Sequence, residues 1–178
     1  YLKISGEEAF RDLSPLARLQ PDDLDRLSVS LWQVQGIDTD RDILPHLRGL
    51  AGLKTLDLGC VEGIPRRLSL LRDLSHLRFL SIRAGDVMFG SNTRRSADPS
   101  GLESLPELRS LTGLAVFSNA VTDDSLVHVA ALPSLREVTV FSKRIRGRGL
   151  AHLAQLPNLQ YLRTGGGSLH PNCLRHIG

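Results

Sequence analysis

A six-residue pattern, L-x-x-L-x-L, returns along this chain at a fixed step, and that step restricts the fold more than any other feature. The copies read Leu53-x-x-Leu56-x-Leu58, Leu77-x-x-Leu80-x-Ile82, Leu111-x-x-Leu114-x-Val116, Leu135-x-x-Val138-x-Val140 and Leu159-x-x-Leu162-x-Thr164. Leu24-x-x-Leu27-x-Val29 also fits, and Leu2-x-Ile4 matches the end of a further copy. Starts at 53 and 77, and at 111, 135 and 159, are 24 residues apart, while the step from 24 to 53 is five residues longer and that from 77 to 111 ten longer. Repetition at such a period marks a stacked array, because one unit alone cannot bury its apolar face. Composition agrees: 34 of the 178 residues are leucine and only 4% are aromatic, so aliphatic side chains must fill the interior.

Within each unit the fourth and sixth positions alternate across a short strand and point to one side. Between strands leucine recurs every third residue, as in Leu68, Leu71, Leu74, Leu77 and again in Leu150, Leu153, Leu156, Leu159. That spacing predicts a short helix or 3₁₀ turn laying an apolar edge on the strands. Thr122-Asp123-Asp124-Ser125 before Leu126 predicts a helix start, with side-chain oxygens for the free amides, and Pro133 and Pro157 sit where such helices should stop.

On these residues the sequence resembles the leucine-rich repeat family over essentially its whole length. The copy from Leu111 continues to Asn119-x-Val121 and so carries the family's asparagine position, whereas other copies place Trp32, Val61, Gly85, Lys143 and Gly167 there. The stretch from Val121 to Leu162 looks like bacterial members. The resemblance implies an α/β solenoid, a curved horseshoe with a parallel concave sheet and short convex helices or 3₁₀ turns, and the copies set the number of strands at about seven. Residues 1–178 are read as one such domain, with residues 85–101 as an inserted polar loop. Neither end shows the polar cap that a repeat array needs, so a segment of a longer multidomain chain is expected.

In such a sheet the residues between buried positions face the hollow. Counting from the first leucine, position seven reads Arg83, Phe117 and Phe141 in consecutive units, and strands about 4.8 Å apart would make these one ladder. Phe79, Tyr161 and Arg163 fall on the same face of the same half. With Tyr1 at position three of the first unit, five of the eight aromatics lie on the inner sheet by register. Uncovered apolar groups on a sheet face mark an interaction site, and aromatics and arginine tend to carry binding energy. Phe79, Arg83, Phe117, Phe141, Tyr161 and Arg163 are therefore the expected partner-binding residues, with a cation–π contact expected between Arg83 and Phe117. The opposing reading packs the rings on one another or under the insertion. Arg94 and Arg95 in that insertion, and Lys143, Arg144 and Arg146 in the densest basic run, are accessory candidates.

Signals for chemistry fail on inspection. Gly147-x-Gly149 has His152 where a dinucleotide motif needs its third glycine. Asp38-x-Asp40-x-Asp42 opens like a calcium loop, but Ile43 replaces the turn glycine and Gly49 the bidentate glutamate, so these aspartates read as caps for the segment from Ile43. His170-x-x-Cys173-x-x-His176 lacks a fourth ligand. No enzyme, cofactor or metal is expected. The longest apolar run is far short of the roughly 18 residues of a membrane helix. Two cysteines and no secretory pattern at Tyr1 point to a reducing, cytoplasmic setting.

What the resemblance implies about function is recognition of a protein on the concave C-terminal half, as the sensing part of a larger protein such as a bacterial nucleotide-binding immune-type receptor or an effector. Alternatives are a spacer or autoinhibitory surface packed on its own chain and, more weakly, nucleic-acid binding through the 143–148 basic loop. Net charge of +3 is too small to make a nucleic-acid footprint by itself.

Overall fold

A computed structural model describes residues 1–168 apart from 11, 33, 35, 62 and 85–98. Every copy of the motif becomes a strand: β1 (Leu2–Ser5), β2 (Arg26–Ser30), β3 (Thr55–Val61), β4 (Phe79–Ala84), β5 (Gly113–Phe117), β6 (Glu137–Phe141) and β7 (Tyr161–Gly165). They form a seven-stranded sheet in chain order, with each neighbouring pair parallel. Register follows the repeat: Leu27, Leu56, Leu80, Leu114, Val138 and Leu162 stand in one row, and Val29, Leu58, Ile82, Val116, Val140 and Thr164 in the next.

These two rows face the interior. From Leu27 to Val140 all ten strand residues are at most 1% exposed. The last unit departs, because Thr164 holds an aliphatic position and its hydroxyl is shut in without a hydrogen-bond partner. The opposite wall is built from the three-residue leucine spacing. Leu68–Leu71 is a 3₁₀ turn, and the short α-helices Leu126–Ala130 and Leu150–Leu153 pack on one another in consecutive units. Leu68, Leu71, Leu74 and Leu77 are each at most 1% exposed, so the spacing reports one continuous buried edge. Fully burying a leucine contributes roughly 1.5–3 kcal/mol, which makes this core sufficient only while neighbouring units stay in register.

The insertion ends earlier than the sequence suggests. Residues 85–98 lie outside the described set, but 99–101 are not loop: Pro99–Glu107 is a 3₁₀ helix whose Leu102 and Leu105 are buried. Gly101 sits so close to Ile64 and the Pro65 carbonyl that a Cβ there would come within 2.5 Å of each.

Carboxylates tie one unit to the next, which differs from the capping role expected of them. Asp123 leaves the amides of its own helix alone; Thr122 and Ser125 bond reciprocally at that helix start. Its carboxylate accepts instead from the backbone N–H groups of Arg146, Gly147 and Gly149 in the following unit, at 2.8, 2.9 and 2.8 Å. Asp40 does the same for Arg66 and Arg67 at 3.0 and 2.9 Å. Asp38 caps the turn Thr39–Ile43, which begins four residues before the expected Ile43. The Arg41 guanidinium holds the Asp42 carboxyl below its ordinary range, helped by the Asp38 N–H, so that pairing stabilises the fold above about pH 4 and is lost as pH falls lower. Asp123→Ala is expected to cost about 2 kcal/mol in chemical denaturation, since three amides lose a charged acceptor but water can reach part of the site. A change within 0.5 kcal/mol would contradict the brace.

The turns after the strands are held without an asparagine ladder. Asn119 accepts from the Lys143 N–H at 3.0 Å. Next to it, buried Ser118 accepts from the Ala120 N–H at 3.1 Å. One unit on, buried Ser142 donates to the Val121 carbonyl at 2.6 Å and accepts from the Arg144 N–H.

A candidate protein-docking face

With positions four and six directed inward, positions three, five and seven form the open face of the sheet. The seventh-position row runs Gly59, Arg83, Phe117, Phe141 and Gly165 through consecutive strand pairs, as the repeat predicts. Adjacency along the row does not fix where each side chain turns, and the row splits between β4 and β5.

Arg83 turns toward β3. Its guanidinium crosses above Gly59, 3.6 Å from where a Cβ would lie, and forms an ion pair with Asp57, which also accepts from the Ser28 hydroxyl at 3.3 Å. The expected stacking of Arg83 on Phe117 is therefore replaced by a carboxylate contact, because a partly shielded charge pair outweighs an exposed cation–π contact. Arg83, Asp57, Arg26, Ser28, Phe79 and Ser81 line a shallow hollow of about 300 Å³ in the N-terminal half of the face.

The rings turn the other way. Phe117 and Phe141 are stacked, with centroids 5.2 Å apart and planes 10° from parallel. Phe141 leans over Gly165, where a Cβ would come within 2.7 Å of its ring, and Phe79 leans over Gly113 in the same way. The cation–π contact belongs to Arg163, whose guanidinium carbon lies 5.2 Å from the centre of the Phe141 ring. Phe117–Phe141–Arg163 is thus a continuous row across β5, β6 and β7. Phe79, Phe117 and Phe141 are partly buried, Arg83 and Arg163 are exposed, and Tyr161 is 52% exposed. The two readings of these rings combine: they pack on each other and on glycines, and one side of the row still faces solvent.

The accessory candidates divide. Lys143, Arg144 and Arg146 are exposed on the turn that follows β6, while Ile145 between them is fully buried and anchors it. Arg94 and Arg95 lie outside the described residues, as do His170, Cys173 and His176. Among the described residues no group of three or more His, Cys, Asp or Glu is placed to hold a metal ion, and no helix is long and apolar enough to cross a membrane. Asp57 is the participant that sequence reasoning missed. Its signal was its place at position five, one strand from Arg83, where a lone carboxylate reads as solvated surface.

Comparison with solved structures matches this geometry to internalin C2 of Listeria monocytogenes, with a TM-score of 0.59 at 22% identity. This is the leucine-rich repeat fold. The match covers 94% of this chain and 62% of that one. A second internalin of the same organism, inlF, aligns with a TM-score of 0.55 at 20% identity over 93% of this chain and 42% of its own. The chain therefore spans less than two thirds of either internalin. No family model and no curated protein sequence matches it. At this divergence the shared feature is the backbone plan of the leucine-rich repeat.

Proposed function

We propose that this leucine-rich repeat domain is a protein-binding module whose docking face is the C-terminal half of the open sheet. The observation that carries the reading is the Phe117–Phe141 stack, with Arg163 upon it, on the solvent side of β5 and β6, whose other side is fully packed. Folding does not require rings there, since the corresponding positions of other units are Gly59, Arg83 and Gly165. A rigid aromatic row costs little entropy on binding and supplies the anchor type that dominates interfaces. Phe79, Arg83 and Tyr161 flank it, and Lys143, Arg144 and Arg146 stand on the adjoining turn.

The setting we take is the recognition part of a larger cytoplasmic bacterial protein of the receptor or effector kind. Two cysteines in the chain suit a reducing compartment.

Photocrosslinking in the producing cell tests the docking face. A benzophenone amino acid replacing Phe117 should give discrete protein adducts. The same group replacing Val127, which is 46% exposed on the helix at the opposite wall, should not. Equal labelling from both positions would remove the open face from consideration.

A further inference from the structure

The charges around the aromatic row identify the chemistry of the partner. On the open face Arg83 is occupied by Asp57, whereas Arg163 rests on a ring, and among the described residues no carboxylate pairs with it. Glu137, diagonal to Arg163 across β6 and β7, forms no ion pair with it. A guanidinium held over an aromatic ring without a carboxylate partner keeps its N–H groups available, and its fork matches a carboxylate in bidentate fashion. The turn that follows β6 exposes Lys143, Arg144, Arg146 and Arg148. The backbone of that turn is fixed by Asn119 and Asp123, so the basic ridge stays in place. The Asp123 carboxylate is consumed by three amides, which leaves Asp124 as the exposed acid of the preceding turn.

Resting on the docking-face reading above, we propose that this face selects an acidic polypeptide segment. An apolar or aromatic side chain of that segment lies on Phe117 and Phe141, and a neighbouring Asp or Glu is received by the Arg163 edge. The 143–148 ridge adds long-range attraction, which speeds encounter more than it tightens the complex. Single-stranded nucleic acid, which also combines stacking with positive charge, fits less well. The faces shared by Phe117, Phe141 and Arg163 are taken by one another, which limits base stacking, and a net charge of +3 is too small for a nucleic-acid footprint.

Fluorescence anisotropy with labelled random copolymers tests this on the intact chain. Poly(Glu,Tyr) should bind at least tenfold more tightly than poly(Lys,Tyr) or poly-Glu, and more tightly than a twenty-nucleotide oligothymidine. Arg163→Glu should weaken poly(Glu,Tyr) at least tenfold and improve poly(Lys,Tyr), with an unchanged thermal midpoint. Arg163→Lys, which keeps charge but loses the flat edge, should fall between. Failure of poly(Glu,Tyr) to bind overturns the proposal, as does oligothymidine binding as tightly. Equal binding of both tyrosine copolymers, lost together in Phe117→Ala/Phe141→Ala, overturns the acidic preference and leaves the docking face standing. Poly(Glu,Tyr) binding that ignores both the arginine and the phenylalanine variants overturns both.

Discussion

Leu80→Asp is expected to abolish folding, leaving circular dichroism of an unfolded chain and no cooperative transition on heating. Leu80 is fully buried in the central strand, between Leu56 of β3 and Leu114 of β5. The substitution removes roughly 1.5–3 kcal/mol of apolar burial. It also places a carboxylate where no cation can reach it, at a cost of several kcal/mol even after relaxation. Together these approach the roughly 5–15 kcal/mol that stabilises a domain of ordinary size. A solenoid has no redundancy to absorb the loss, because units on both sides of β4 use it as their wall and their hydrogen-bonding partner. A variant that still melts cooperatively within a few degrees of the parent would mean that Leu80 is not an interior residue.

Phe117→Ala/Phe141→Ala should have the opposite profile. The rings are partly buried, against one another and Gly165, so their truncation lowers stability by about 1–2 kcal/mol. Affinity for a protein captured by the crosslinker at position 117 should fall at least about 100-fold, since central aromatic anchors each carry about 2 kcal/mol or more. Alanine is preferred to aspartate here. Two carboxylates at register partners on β5 and β6 would repel each other, and Arg163 would engage the one at 141. Titration calorimetry beside a melting curve separates the outcomes: affinity lost with the fold retained supports a docking face. Unfolding of the double variant, or intact affinity, contradicts it.

Strand order, register and the buried rows were all legible in the 24-residue step, because the period places each leucine on the same side of each successive strand. The aromatic row was legible for the same reason. Side-chain direction was not. Register puts Arg83 opposite Phe117, but arginine is long enough to cross Gly59, and nothing in the local sequence weighs Asp57 against a ring. The carboxylate braces were hidden in a similar way. Asp123 and Asp40 each lie where a helix cap would, and only the stacked coordinates show that the nearest free amides belong to the next unit. The first three residues of the 3₁₀ helix Pro99–Glu107 were absorbed into the insertion because Pro99 and Gly101 read as loop punctuation, although Leu102 and Leu105 continue the three-residue spacing.

The account depends on β6 being a wall with one packed side and one open side. A single-cysteine scan through Glu137–Phe141, with Cys60 and Cys173 replaced by alanine, reads this residue by residue with a water-soluble thiol reagent. Val138 and Val140 are 0% and 1% exposed, whereas Glu137, Thr139 and Phe141 face outward. Cysteines at 137, 139 and 141 should react within minutes in the native protein, and those at 138 and 140 about 100-fold more slowly or more, because they wait for unfolding of the sheet. Protection at 139 and 141 equal to that at 138 and 140 would show both sides covered and contradict the account.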